Sequence, residues 1–166
     1  INGQGPRIDE ESLEKLMQKI DEISDGDTLI ISGSVPNTMP NDIYERFLER
    51  LKDKDIRIVV DATGKLLVNS LKYHPFLIKP NRQELEELAQ KRLFTREEIV
   101  AQGKRLQEMG AKNVLISMAA EGAVLLTADG KIFFAEAPRG TLQNSVGAGD
   151  SMVGGFVAGW QCSLHY

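Results

Sequence analysis

Sulfur and imidazole, two common sources of enzyme chemistry, are nearly missing from this sequence. Cys162 is the single cysteine in 166 residues, which excludes an intramolecular disulfide framework and fits a reducing, cytoplasmic setting. Only two histidines occur, His74 before Pro75 and His165 near the end, and neither has a visible partner for acid–base or metal work. The one tryptophan, Trp160, follows an apolar helical pattern and reads, like Cys162, as a packing residue. No apolar run approaches the roughly 20 residues that cross a bilayer, and no secretory pattern precedes the first polar stretch, so no membrane role is expected. Excess positive charge is lacking too. With 20 basic and 24 acidic residues the net charge is −4, which gives no general attraction to nucleic acid or anionic lipid. What is present is an ordinary globular composition, 42% hydrophobic and 27% charged, long enough for one domain with a real core.

Ile1–Arg7 reads as a connector, and the absence of an initial Met suggests a piece of something longer. Asp9, Glu10 and Glu11 suit a helix start, with Leu13, Leu16, Met17, Ile20 and Ile23 at helical spacing behind them. Strand and helix patterns then alternate. Strands are expected at Thr28–Ser32, Ile56–Val60, Phe76–Lys79 and Asn113–Ser117. Helices are expected at Asp42–Lys52, Leu66–Leu71, Glu84–Ala89, Glu97–Met109 and Gly149–Gln161, with Asn81 and Thr95 as caps. Ala123–Thr127 and Lys131–Ala135 form an antiparallel hairpin through Ala128-Asp129-Gly130. This alternation predicts an α/β fold, a mostly parallel sheet with helices on both faces. Ligands of such sheets bind beyond the carboxyl ends of the strands, here Gly33–Pro36, Asp61–Gly64, Lys79–Glu84 and Met118–Gly122.

Six of the fifteen glycines lie between Gly140 and Gly159. Within that stretch, Gly147, Ala148 and Gly149 let the backbone turn tightly at a helix start and expose successive N–H groups to an anion. Asp150 is the informative neighbour. A carboxylate repels a phosphate, but it is useful if it must take a proton from a hydroxyl while the amides hold developing charge. The plainer and weaker reading is that Asp150 caps or enters the helix and the glycines permit close packing. Two other glycine-loop readings fail on the letters. No Gly-Lys-Ser/Thr occurs, so there is no Walker A loop, and Met152 stands where a dinucleotide fingerprint starting at Gly147 needs glycine.

The segment Asn144–Phe156 resembles the second signature of the PfkB, or ribokinase-like, carbohydrate kinases. Four further pieces agree in order: Gly33-Ser34-Val35-Pro36, Asp61-Ala-Thr-Gly64, Lys79-Pro-Asn81-Arg-Gln-Glu84 and Ser117-Met-Ala-Ala-Glu-Gly122. The Asn144–Phe156 segment looks most like the branch that phosphorylates phosphosugars, a likeness that Ile1–Pro6 and the Asp150-Ser-Met-Val run share. The resemblance implies a ribokinase-like three-layer α/β/α sandwich, of which residues 1–166 would be a partial catalytic domain without the N-terminal lid and substrate region or the C-terminal end.

It also implies a reaction: ATP-dependent phosphorylation of a ketohexose phosphate, D-fructose 1-phosphate to D-fructose 1,6-bisphosphate, with tagatose 6-phosphate as the second substrate reading. Asp150 would be the base, and the amides of Gly147, Ala148, Gly149 and Asp150 the anion hole. Lys79 and Asn81 would lie near the ATP phosphates. Ser117, Met118, Ala119, Ala120, Glu121 and Gly122 would line the ATP side, and Gly33 and Ser34 the sugar side. Glu84 would organise Mg²⁺, with Asp61 a weaker member of the metal network. Unaided by the resemblance, Asn81 and Glu84 read as a helix cap and a first-turn charge, and Asp61 as part of a turn with Thr63 and Gly64. Ala119 stands where the family has glycine, and Asn37-Thr38 where it has Pro-Gly. The family expectation is a cytoplasmic enzyme, dimeric at full length. The competing readings are a nucleotide-binding piece without catalysis and a Rossmann-like binding domain outside the kinases.

Overall fold

A computed structural model describes residues 8–36, 39–141, 144 and 146–163. The connector at Ile1–Arg7, the Asn37-Thr38 pair and His165 lie outside them. The strands are β1 (Thr28–Ser32), β2 (Arg57–Asp61), β3 (Leu77–Ile78), β4 (Asn113–Ser117), β5 (Ala123–Leu126) and β6 (Ile132–Ala135). They form one sheet whose spatial order is the chain order. β1 to β4 are parallel, and β4–β5 and β5–β6 are antiparallel.

The helices are α1 (Glu10–Asp21), α2 (Ile43–Leu51), α3 (Gly64–Ser70), α4 (Arg82–Ala89), α5 (Arg96–Glu108) and α6 (Ala148–Ser163). Three begin on side-chain caps. Asp9 Oδ1 accepts from the Ser12 amide at 2.8 Å, while Asn81 with Glu84 and Thr95 with Glu98 form reciprocal capping boxes. The elements differ from the sequence pattern mainly at their ends. The strand over Phe76–Lys79 shortens to β3, α3 starts two residues early at Gly64, and a 3₁₀ turn forms at Ala119–Glu121.

The helices divide unequally. α1 to α5 all pack on one face, against Ile31, Ile58, Val60, Ile78, Val114 and Ile116. Among the described residues only α6 covers the other, through Val153 and Val157 on Val59, Leu77 and Leu115. The pattern of alternating elements predicts helices on both faces but not this five-to-one split. The cause is the strand order. Each parallel strand is added beside its predecessor in the same direction, so the crossovers that carry α2 to α5, all of one hand, return on one side, where α1 packs against α2. α6 follows the antiparallel hairpin and escapes that constraint. Among the described residues no helix is long and apolar enough to cross a membrane.

Candidate active site

Alternation along a strand puts every second side chain on the same face. Two residues beyond Ile30, Val59, Leu77 and Leu115, on the α6 face, stand Ser32, Asp61, Lys79 and Ser117. They form a row at the carboxyl ends of the parallel strands. Ser32 is in register with Asp61, the Lys79 amide donates to Val60 O at 3.2 Å, and Ser117 bridges to Asn81. Lys79 and Asp61 form an ion pair at 3.1 Å with side chains only 8% and 17% exposed. Gly149, in the first turn of α6, rests directly on it. A Cβ there would lie 3.1 Å from Lys79 Nζ and 3.8 Å from Asp61 Oδ2, so a side chain would push the ammonium away.

The positive end of the α6 dipole therefore faces a buried ammonium, two features that favour an anion at one point. Gly147 turns the chain into the helix at φ +78°, and its carbonyl accepts the first helical bond, from the Ser151 amide at 2.9 Å. The amides of Ala148, Gly149 and Asp150 thus belong to the first turn, where a helix offers donors no partner of its own. Asp150 is exposed at the mouth of this turn, and its Oδ1 accepts the Ser32 hydroxyl at 3.1 Å.

On one side of Asp150 opens a groove of about 1390 Å³ whose lining includes Asn81, Ser117, Met118, Ala119, Glu121 and Gly149. These are residues expected near a nucleotide, yet their contributions differ. Met118 is buried in the core, so it offers the groove backbone more than side chain. Ala119 sits at φ +50°, the left-handed region in which the family's glycine is at ease. Ala120 lies in the 3₁₀ turn. Gly122 is not part of the groove lining. It is buried at φ +89°, and a Cβ would come within 1.9 Å of Ala135 O, so the close backbone approach it permits is to β6. Arg82, which the sequence pattern does not single out, lines the groove too; it pairs with Glu121 and donates to Leu93 O.

Asn81 and Glu84 spend part of their polarity locally. Asn81 Oδ1 accepts the Glu84 amide at 2.9 Å, and Glu84 Oε2 accepts the Asn81 amide at 2.8 Å. Burial pushes the Glu84 carboxyl above its ordinary value, against the pull of the Asn81 amide and the Lys79 charge. No group of three or more metal-ligating side chains occurs among the described residues. A half-buried carboxylate with one oxygen left over, beside the Asp61–Lys79 pair, suits a hydrated cation carried by phosphates and not a protein cage.

The turn expected on the sugar side lies across Asp150 from the groove. Gly33 and Ser34 are exposed there. The Gly33 amide donates to Asp61 O at 3.3 Å, and its carbonyl accepts the Tyr44 hydroxyl at 3.0 Å. Burial, with the Asp61 charge adding, pushes the Tyr44 phenol up, so it remains a donor.

A model of the pfkB family carbohydrate kinases matches residues 1–164. The chain belongs to the PfkB family. It is 43% identical over 159 residues to the 1-phosphofructokinase of Bacillus subtilis, a match covering 96% of this chain and 52% of that protein. It is 38% identical over 158 residues to the D-tagatose-1-phosphate kinase of Bacillus licheniformis, covering 95% and 52%. Phosphofructokinase-2 from Escherichia coli, solved in complex with substrates and products, superposes with a TM-score of 0.85 at 28% identity, covering 95% of this chain and 52% of that one. The chain spans about half the length of the curated relatives it matches. The PfkB match agrees with the three-layer architecture described above, and it excludes the Rossmann-like alternative outside the kinases.

Proposed function

We propose that these residues are the catalytic part of a ribokinase-like domain, in a protein that phosphorylates D-fructose 1-phosphate to D-fructose 1,6-bisphosphate with ATP in the cytoplasm. The observation that carries this is the Lys79 ammonium held beneath Gly149 at the α6 N-terminus, with the Asp150 carboxylate one residue away. The ammonium and first-turn amides receive the charge on the transferring phosphoryl group, and Asp150 accepts the proton of the attacking sugar hydroxyl. The sugar O–H bond breaks as the sugar O–P bond forms, the γ-phosphoryl group leaves ADP, and the proton ends on Asp150. The groove beside Asn81, Ser117 and Ala119 is large enough for a nucleotide. Glu84, with Asp61 behind it, would hold a hydrated Mg²⁺ that neutralises phosphate charge when bound.

In the whole protein, Asp150→Asn lowers the rate of ADP release with fructose 1-phosphate by about 10²–10⁴-fold without unfolding it, and a near-normal rate overturns the base assignment. The second substrate reading is a tagatose phosphate. Likeness to the D-tagatose-1-phosphate kinase of Bacillus licheniformis supports setting the 1-phosphate beside the 6-phosphate, and a kcat/KM comparison of the three sugars decides between them. Because the chain covers half of its relatives, the 166 residues alone are read as binding nucleotide without turnover; substrate-dependent ADP release from them alone rejects that reading.

A further inference from the structure

The hydrogen bond from Ser32 to Asp150 joins residues 118 positions apart and ties the Asp150 carboxylate to the end of β1. Ser32 is well placed to hold something still. It ends β1 in register with Asp61, and the next residue is fixed at both of its backbone groups, its amide on Asp61 O and its carbonyl on Tyr44 Oη. Asp150, by contrast, is exposed in the first turn of a helix, where more than one staggered rotamer is open to a short carboxylate.

We infer that Ser32 is a positioning residue for Asp150. Its strand-anchored hydroxyl occupies Oδ1 and so presents Oδ2 to the acceptor sugar. The inference rests on the reading of Asp150 as the base. Ser32 keeps its own proton throughout; the proton from the sugar arrives on Oδ2 while Oδ1 stays bonded to the hydroxyl. Its effect is therefore on orientation, which enters the rate of the chemical step and leaves ground-state binding of either substrate alone.

The test is a kinetic cycle in the whole protein with Ser32→Ala, Ser32→Thr, Asp150→Asn and the Ser32→Ala/Asp150→Asn pair. Ser32→Ala is expected to lower kcat about tenfold, the scale of one hydrogen bond to a charged group, with KM for sugar phosphate and for ATP within about twofold. Ser32→Thr, which keeps the hydroxyl and suits a strand, recovers most of the loss. In the Asp150→Asn background, Ser32→Ala adds nothing, because the oriented group is already gone. Unchanged kcat in Ser32→Ala overturns the inference. So does an equal loss in both backgrounds, a Thr variant as slow as the Ala one, or a loss expressed in KM. Failure of the underlying reading looks different, since Asp150→Asn alone would then turn over normally.

Discussion

Ala119 holds a left-handed backbone, φ +50°, that an L side chain resists by about 1–2 kcal/mol. Ala119→Gly is therefore expected to stabilise the fold by about 0.5–1 kcal/mol after the added freedom of the unfolded chain is subtracted, read as a higher urea midpoint at unchanged slope. Three residues on, the sign reverses. At Gly122 a Cβ would meet the Ala135 carbonyl, which is backbone and cannot swing aside, so Gly122→Ala should cost about 2–3 kcal/mol of stability or more, read as a lower midpoint. The sequence exposes the first of these, because an alanine interrupts a motif that has glycine there. It assigns the second to nucleotide approach, because nothing local reveals that β6 returns against Gly122. Ser32 was equally hidden, since it precedes the Gly33-Ser34 motif and its partner is 118 residues away.

Helices and strands were legible nearly to their ends, since caps and turns are local chemistry: Asp9, Asn81 and Thr95 each start the helix their residue types predict. At α4 the cap reading of Asn81 and Glu84 holds, and the capping box leaves Glu84 one oxygen for the cation proposed above. That double duty has a measurable cost. Burial raises the Glu84 carboxyl above its ordinary 4.5, so the native state holds a proton that the unfolded chain releases, and stability falls as pH rises from about 4.5 through the raised value. Glu84→Gln keeps an oxygen for the Asn81 amide and removes the charge. Its melting temperature should match the parent below that window and exceed it at pH 7, while the whole protein needs more Mg²⁺ for half-maximal rate. Lower stability of the Gln variant at pH 7 would contradict the burial argument.

Across the molecule, the fold class followed from alternating patterns, but the placement of the layers did not, because strand order is set by long-range pairing that no short window contains. The same pairing separates the two ends of the sheet. The site row stands where Ser117 faces Ala123, whereas Val114 faces Leu126 at the other end of β4 and β5. The β5–β6 turn is tied down there, the Ala128 amide on Asn113 Oδ1 at 2.9 Å and the Lys131 amide on the Thr127 hydroxyl at 3.0 Å. At about 3.3 Å per strand residue, the exposed Asp129-Gly130 tip stands roughly 15 Å from the row. It thus offers a handle. A short Gly/Ser tether carrying a fluorophore or a surface-attachment tag, inserted between Asp129 and Gly130, should leave turnover of the whole protein within about twofold, since loop lengthening has a small entropic cost. An immobilised sample prepared in this way would present its catalytic end outward, toward the solution.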